Sequence, residues 1–308
     1  MSGITEKNQV LPVHTPVMLN ETLSYLSPQP GGCYVDMTIG YGGHASAILS
    51  RLDTGCLVGI DRDAAILELA EPRLQATGKQ YHLRCSPFAD IEQVLGQLNI
   101  SAVDGVLFDL GVSSYQLDDA HRGFSFSREG PLDMRMGADA PTTAESILRQ
   151  YSEEALANLI WQYGEEPRSR RIAKAIVRTR QFHPIRTTLE LANIVAQASG
   201  YSHGRIHPAT RVFQALRIAV NDELEQLSQG LATVLDCVKL SGRIVVISFH
   251  SLEDRIVKNF FRSHKQILNI LTPKPIMATP EEQHVNPRSR SAKLRCAQKQ
   301  EPEPEQLL

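Results

Sequence analysis

Short apolar runs rich in β-branched residues alternate with helical stretches between residues 32 and 109. Four of these runs have the length of buried strands: residues 34–36, 57–61, 81–83 and 106–109. Between the second and third runs, apolar residues recur at helical spacing from Ala64 to Leu74, which predicts a helix with Asp63 as its N-cap. Strands that alternate with helices are typical of a parallel sheet covered by helices. This part of the chain therefore predicts an α/β fold.

The pattern changes after Asp109. Residues 113–139 are rich in Gly, Asp and Ser and predict loops, whereas residues 142–200 predict several helices and no strand. A strong strand pattern returns only at residues 243–248. We interpret the chain as one sheet that an all-helical segment interrupts. The predicted units are residues 1–118 and 207–308 for the two parts of the sheet domain and residues 119–206 for the insertion, with a disordered acidic tail after about residue 298.

The composition is that of a soluble globular protein, because 42% of the 308 residues are hydrophobic and 21% are charged. The longest apolar run, residues 242–249, is much shorter than the roughly 20 residues of a membrane span. Residues 1–10 lack the apolar region of a secretory signal. Five scattered cysteines without a C-x-x-C pair argue against a disulfide framework and a structural zinc. We expect a cytoplasmic protein with free thiols and no membrane partner.

A net charge of −2 conceals a strongly basic segment. Between residues 167 and 220, ten bases accompany a single acid, Glu190. The bases are Arg168, Arg170, Arg171, Lys174, Arg178, Arg180, Arg186, Arg205, Arg211 and Arg217. A second basic cluster, residues 288–299, precedes the acidic tail. For one such segment a solvated helix face would be the better explanation, but two of them favour a partner with phosphates, such as a nucleic acid.

A glycine-rich loop follows the first predicted strand and leads into a helix predicted over residues 45–52. Gly40, Gly42 and Ala45 fit the dinucleotide fingerprint G-x-G-x-x-G/A, so a nicotinamide-dependent oxidoreductase is one interpretation. The spacing weakens it, because the first glycine lies four residues beyond the end of the strand and an acid, Asp36, occupies that end. A carboxylate there repels a pyrophosphate and favours a cationic cofactor.

Two further predicted strands also end in acids, Asp61 and Asp109. The carboxyl ends of parallel strands meet at the edge where open sheets bind ligands. Asp61 is placed to accept hydrogen bonds from the hydroxyls of a ribose, and three carboxylates together suit the sulfonium and ammonium groups of S-adenosylmethionine. Each acid alone is equally well explained as the cap of the following helix. With the glycine loop, the three acids favour a site for S-adenosylmethionine.

Several long segments are more specific than these general patterns. They are His14-Thr15-Pro16-Val17, Gly42-Gly43-His44, Asp109-Leu110-Gly111-Val112-Ser113-Ser114-x-Gln116-Leu117-Asp118, Arg122-Gly123-Phe124-Ser125-Phe126, Gly130-Pro131-Leu132-Asp133-Met134-Arg135-Met136, His207-Pro208-Ala209-Thr210-Arg211-x-Phe213-Gln214-Ala215-Leu216-Arg217, Ile247-Ser248-Phe249-His250-Ser251-Leu252-Glu253-Asp254-Arg255 and Asn286-Pro287-Arg288-Ser289-Arg290-Ser291-Ala292-Lys293-Leu294-Arg295. In this order they resemble the bacterial small-subunit rRNA (cytosine-N4) methyltransferases, the RsmH or MraW family, over nearly the whole chain.

The resemblance implies a class I, Rossmann-like methyltransferase sheet with an inserted helical domain. It also implies that S-adenosylmethionine donates a methyl group to the exocyclic N4 of a cytosine in the P-site region of 16S rRNA, within the small ribosomal subunit. The cofactor contacts that it implies are Gly42, Gly43, His44, Asp61, Phe88, Asp109 and Gln116. Phe88 can lie against the face of the adenine, and core packing is the alternative for it. Met37 departs from the family, whose loop usually has a small residue there, and this puts the loop geometry in question.

Asp109 is the candidate catalytic residue. The amino nitrogen of cytosine is a weak nucleophile, so transfer needs alignment and a group that withdraws charge from the departing N–H. Ser113, Ser114 and Gln116 are candidates to hold the edge of the base, and no metal is required. Methylation at C5 needs a cysteine nucleophile, typically after a proline, and none of the five cysteines follows one.

The target base must leave its stack, which calls for aromatic or arginine platforms. Arg122, Phe124, Phe126 and Arg135 are candidates, with core packing as the alternative for the two phenylalanines. Near residue 250 a helix is predicted with Ser251 as its N-cap. Catalytic roles for His44 and His250 stay open.

Arg211 and Arg217 share a predicted helical face with Phe213 and are candidate phosphate contacts. Two alternative functions are a methyltransferase for DNA or a small molecule, for which the basic insertion is dispensable, and a non-catalytic RNA-binding or assembly factor. The sequence determines neither the oligomeric state nor whether naked RNA or an assembled 30S particle is the substrate.

Overall fold

The predicted strands pair into one sheet in the computed structural model, which describes residues 15–200 and 207–302. The strands are β1 (Cys33–Asp36), β2 (Cys56–Asp61), β3 (Gln80–Cys85), β4 (Val103–Asp109), β5 (Val238–Ser248), β6 (Leu268–Ile270), β7 (Ile276–Met277) and β8 (Lys293–Lys299). Their order is β3-β2-β1-β4-β5-β8-β6, and β7 pairs with β8. Strands β1 to β5 are parallel, and β8 runs antiparallel to β5.

Helices connect these strands and form the insertion. They are α1 (Leu19–Leu26), α2 (Gly43–Leu49), α3 (Ala64–Gln75), α4 (Ile91–Gln97), α5 (Ser114–Asp118), α6 (Ala144–Gln150), α7 (Glu153–Gly164), α8 (Ser169–Arg180), α9 (Thr188–Ser199), α10 (Ala209–Asn221), α11 (Glu223–Cys237), α12 (Ser251–Ser263) and α13 (Pro280–Val285). Asp63 caps α3 as predicted, because its side chain accepts a hydrogen bond from the backbone of Ala65.

Both faces of the parallel sheet are buried. Neighbouring residues of a strand point to opposite faces, so Val106 packs toward α4, α11 and α12 while Leu107 packs toward α1, α2 and α3. This arrangement explains why the strands read as continuous apolar runs instead of an alternating pattern. The predicted α/β fold with a parallel sheet is confirmed.

A second hydrophobic core lies outside the sheet, in the chain between β4 and β5. It runs from Phe124 to Val220 and takes apolar residues from α6 to α10, whereas α11 packs on the sheet. In the described residues of this segment the regular elements are helical. The predicted boundary at 206 falls among residues 201–206, outside the described residues, as does Arg205. The packing places α10 in the helical unit, so this unit extends beyond the predicted boundary, because the apolar face of α10 covers α7 and α9.

The carboxyl-terminal part of the chain differs from the prediction at one point. Strand β8 continues to Lys299, so Gln298 and Lys299 belong to the sheet and not to a disordered tail. The rest of the predicted tail from 303 onward lies outside the described residues, as do residues 1–14 with His14.

Among the described residues, no helix is both long enough and apolar enough to cross a membrane.

Candidate active site

A cavity of about 450 Å³ lies at the carboxyl ends of the parallel strands. Loops after β1, β2, β4 and β5 line one side, and α10 and α11 line the other. The volume is typical of a small-molecule site. Six of the seven predicted cofactor residues line it: Gly43, His44, Asp61, Phe88, Asp109 and Gln116.

Gly42, the seventh predicted cofactor residue, does not line the cavity. Its φ of 71° fits the left-handed turn that starts α2, and its N–H donates to the carbonyl of Ile39. A side chain at this position would meet Leu74 at 3.3 Å, so Gly42 faces α3. Gly42 shapes the turn and allows close helix packing, and its predicted contact with the cofactor stays a prediction.

Met37, the departure from the family pattern, leaves the loop intact. Its side chain is buried in the sheet core, and its N–H donates to the carbonyl of Leu107 in β4. The larger side chain is therefore accommodated in the core.

Two of the three strand-end carboxylates reach the cavity. Asp61 accepts hydrogen bonds from the backbone of Gly40 and Asp63, and burial raises its pKa to about 6. Asp36 lies behind Thr38 and outside the lining, although burial raises its pKa to about 7. Thr38 connects Asp36 to the site, because its backbone donates to Asp36 and its hydroxyl accepts from the N–H of Asp109.

Asp109 is the third strand-end acid and has the most strongly perturbed environment. Burial raises its pKa well above the usual range, and the charges of Asp36 and Glu253 act in the same direction. Its Oδ1 atom is buried without a hydrogen-bond partner among the described residues. His44, also buried in the cavity wall, has its Nε2 2.9 Å from the carbonyl of Val17. Asp109 can therefore accept a hydrogen bond from a ligand in the cavity or, when protonated, donate one to it.

A capping box holds Gln116 in the wall. The Ser113 hydroxyl accepts from the N–H of Gln116, whose Oε1 accepts from the N–H of Ser113 in return. The Nε2 of Gln116 donates to Asp63. Ser113 thus serves as the cap of α5, and both Ser113 and Ser114 line the cavity.

Phe88 lies in the cavity wall and also packs against the sheet core, while its contact with the adenine stays a prediction. Its ring lines the cavity and also makes an edge contact with Phe108, with centroids 5.6 Å apart. Gly230 of α11 makes room for this ring, because a side chain there would lie 2.7 Å from Phe88 Cδ2.

Of the four residues predicted as a base platform, the two phenylalanines take the alternative role in the helical core. Phe124 is buried in the helical core, and Phe126 packs against Phe213 at 5.0 Å between ring centroids, so core packing is confirmed for both. Arg122 forms an ion pair with Asp63, and Arg135 forms one with Asp133. None of the four lines this cavity, but Arg122 and Arg135 line a second pocket that shares Arg62 and Met136 with it, and their roles toward a base stay predictions.

Sequence reasoning missed a charged cluster in the cavity wall. Arg217 was expected on an RNA-binding face, but it is only 15% exposed and forms an ion pair with Glu223 at 2.8 Å. Arg211, by contrast, is 47% exposed. Ser251 is not the cap of α12, because His250 occupies the N-cap position in a capping box with Glu253. That H-x-x-E spacing is the signal that could have identified Glu253 as a buried, fixed carboxylate.

Ligand atoms of Glu223, His250 and Glu253 lie within 4.8 Å of one another. Both oxygens of Glu223, however, accept from the guanidinium of Arg217. Arg217 therefore supplies a fixed positive charge beside this cluster.

Helix α8 presents a basic stripe to solvent. The stripe consists of Arg170, Arg171, Lys174 and Arg178, which are exposed and lie on one side of the helix by their spacing. Within the described part of the chain these four side chains form no ion pair. Their charge is therefore available to a partner.

Comparison with known proteins gives consistent matches over the chain. A model described as the MraW methylase family matches residues 12–300. A protein of Magnetococcus marinus named ribosomal RNA small subunit methyltransferase H is 48% identical over 93% of this chain and 98% of its own. One of the same name from Geobacter sulfurreducens is 49% identical with the same coverage of both chains. A solved rRNA methylase from Streptococcus thermophilus is 9% identical with a TM-score of 0.45, over 92% of this chain and 94% of its own.

Proposed function

Because this chain belongs to the MraW methylase family, we propose that it methylates the exocyclic N4 of a cytosine in the P-site decoding region of 16S rRNA, with S-adenosylmethionine as donor. The observation that carries the proposal is Asp109, a carboxyl group in the cavity wall whose Oδ1 is buried with no hydrogen-bond partner in the part of the chain that the structure describes. The same family membership removes the oxidoreductase interpretation.

The cavity residues fit this cofactor. Oδ1 of Asp109, Nε of Arg62 and Oε1 of Gln226 are buried without a partner among the described residues, and all three residues line the cavity. A ligand that carries amino, carboxylate and hydroxyl groups would satisfy both acceptors and the donor. The part of the cofactor near β2 would be bound by Asp61 and Gln116. The part at the start of α2 would be bound by Gly43 and His44, and the flat heterocycle would lie against Phe88.

The bound cofactor supplies a methyl group on a positively charged sulfur. A positive charge in the cavity favours the ionised form of Asp109 and lowers its raised pKa. The carboxylate then accepts a hydrogen bond from the amino group of the base, which orients the nitrogen and stabilises the positive charge that develops on it. Asp109 is the proposed acceptor of the amino proton.

The position of the cysteines supports nitrogen over carbon as the site of methylation. All five cysteines are in described segments, and none of them lines the cavity. A C5 methyltransferase needs a thiolate that attacks the base. The cavity instead offers carboxylates, which suit an amino group.

The basic stripe of α8 supports RNA as the substrate. Its four free cations lie on the helical unit, which borders the cavity through Arg217 and Asn221 of α10. Cations of this kind neutralise backbone phosphates and contribute affinity without reading sequence. The helical unit would therefore hold the rRNA while the sheet edge holds the cofactor.

The test is transfer of a labelled methyl group to 30S particles whose 16S rRNA lacks this modification. We expect one methyl group per particle, and nuclease digestion with mass mapping should assign it to the amino nitrogen of one cytosine. Methylation of the C5 carbon would overturn the N4 assignment. Cofactor binding without any incorporation would favour the non-catalytic assembly factor, and activity that does not depend on the basic stripe would favour a smaller substrate.

A further inference from the structure

The cavity continues beyond Asp109 to a charged wall that the proposed transfer has not used. Arg217 of α10, Glu223 of α11 and Glu253 of α12 form this wall, with the ring of Phe249 beside them. Side chains of this kind are costly to bury unless they are paired. Because these charged side chains lie beside Asp109 in the same cavity, we asked which part of the substrate they contact.

Arg217 is held in one orientation. Its Nε and Nη2 atoms donate to the two oxygens of Glu223, each at 2.8 Å, which is the bidentate geometry of a planar guanidinium. Asp222, with a left-handed φ of 50°, separates α10 from α11 and brings the two residues together. The plane of the guanidinium is thereby fixed.

The remaining nitrogen of Arg217 is available to a ligand. Nη1 makes no hydrogen bond to any residue that the structure describes. A side chain at Gly111 would lie 4.0 Å from Nη1 and 3.7 Å from Cδ2 of Phe249. Since Gly111 has no side chain, an opening lies between a fixed donor and an aromatic ring.

Glu253 supports this arrangement from behind. It is 2% exposed, and its Oε2 accepts from the backbone of Phe249 at 2.8 Å. Burial alone would raise the pKa of Glu253, but His250, Arg217 and the Phe249 backbone hold it below its usual value. Glu253 therefore stays charged, fixes the segment that carries Phe249 and balances the charge of Arg217.

We propose that Arg217 reads the acceptor edge of the target base, its O2 and N3 atoms, while Phe249 lies against the ring. This inference rests on the proposed function. Cytosine carries two acceptors beside the donor N4, so it complements a guanidinium on one side and the carboxylate of Asp109 on the other. Uracil has a donor at N3 and an acceptor at position 4, and it would oppose both groups. Arg217 is thus assigned as a specificity-determining residue and Glu223 as the residue that positions it.

The test combines an enzyme variant with altered substrates. The Arg217→Lys variant keeps the charge but loses the planar fork, and we expect kcat/KM for 30S particles to fall about 100-fold. The Kd for S-adenosylhomocysteine should change less than threefold, which also shows that the variant is folded. Arg262→Gln, an exposed arginine at the end of α12, is the matched control and should leave both quantities unchanged.

Reconstituted particles with 3-deazacytidine or 2-thiocytidine at the target position complete a double-mutant cycle. Wild-type protein should be less active on at least one analogue than on cytidine. Arg217→Lys, which is already impaired on cytidine, should show little further decrease on the same analogue. The cycle cancels the altered reactivity of the amino group itself. Independent losses with both analogues would overturn the inference while the proposed function stands. No transfer by the wild type to the cytidine particle would overturn both.

Discussion

Nδ1 of His44 lies 3.5 Å from Oδ2 of Asp109. The other ring nitrogen, Nε2, faces the carbonyl of Val17, which can only accept, so Nε2 carries a proton. An unprotonated Nδ1 and an ionised carboxylate would repel each other at this distance. Burial, together with the charges of Asp36 and Glu253, raises the pKa of Asp109. His44 therefore lies against a carboxyl group whose ionisation a positively charged ligand would favour.

The first prediction concerns the role of Asp109 in transfer. Asp109→Asn should lower kcat for rRNA methylation by about 100-fold or more, because the amide cannot take charge from the amino group. The Kd for S-adenosylhomocysteine, measured by calorimetry, should change less than tenfold. An unchanged kcat at saturating cofactor would remove Asp109 as the acceptor.

The second prediction concerns pH. Ionisation of Asp109 favours a positively charged ligand, and its pKa is raised in the free protein. S-adenosylhomocysteine has an uncharged sulfur and serves as the reference ligand. The ratio of the affinity for S-adenosylmethionine to that for S-adenosylhomocysteine should therefore increase as pH rises, by at most tenfold per pH unit. Calorimetry with both ligands from pH 6 to pH 8.5 measures this ratio. In Asp109→Asn the ratio should vary much less, and an equal pH dependence in both proteins would contradict the assignment.

The third prediction concerns stability. Burial raises the pKa of Asp36 from 3.8 to about 7, so the folded protein binds more protons than the unfolded chain between these values. Asp36 therefore contributes a loss of stability as pH rises through this window, of roughly 4 kcal/mol at most. Asp36→Asn should be more stable than wild type at pH 8, and the difference should shrink toward pH 5. Thermal denaturation across this range tests it, with the exposed Asp53→Asn as a control that should follow wild type.

The fourth prediction concerns the basic stripe of α8. The triple variant Arg170→Gln, Lys174→Gln, Arg178→Gln should weaken binding to 30S particles and make the slope of log Kd against log salt shallower by about 2. Glutamine at Arg262, Lys265 and Lys274, which are exposed near the β6 edge, is the matched control. Equal salt slopes for the two variants would rule out phosphate contacts by the stripe.

The fifth prediction concerns two thiols at the amino ends of β1 and β2. Sγ of Cys33 lies 2.7 Å from Sγ of Cys56, and the hydrogen bond from Cys33 lowers the pKa of Cys56 to about 7. Cys56 should therefore be the fastest cysteine to react with iodoacetamide at pH 7. Cys33→Ala should slow its alkylation roughly tenfold in peptide mapping, since the donor to the thiolate is lost. Cys85→Ala should have no effect on Cys56, and an equal slowing by both changes would contradict the pairing.

The sheet and its ligand edge were predictable because local patterns encode them. Parallel strands buried on both faces leave apolar runs in the sequence, and an acid at the end of such a run marks the edge where ligands bind. Asp61 and Asp109 were found in this way. Asp36 shows the limit of the rule, since which of several strand-end acids faces the cavity depends on the intervening Thr38.

The charged wall was not predictable from local pattern. Arg217 stands at a helical spacing that suits an exposed basic face, and its burial follows from tertiary contacts with α11 and the loop after β4. Of the two phenylalanines proposed as base platforms, Phe124 is buried and Phe126 partly buried in the core to which α10 contributes, a helix about 85 residues later in the chain. Contacts of such sequence separation leave no periodic signal.

Asp222, whose backbone is in the left-handed region, limits where insertions and deletions can occur in this chain. It joins a helix of the inserted unit to a helix of the sheet domain, and the Arg217 and Glu223 pair spans it. Removing or adding one residue there would rotate one helix by about 100° against the other and turn the two charges apart. Homologous chains that keep this pair should therefore tolerate length changes in the surface loops of the helical unit but hold the number of residues across this junction constant.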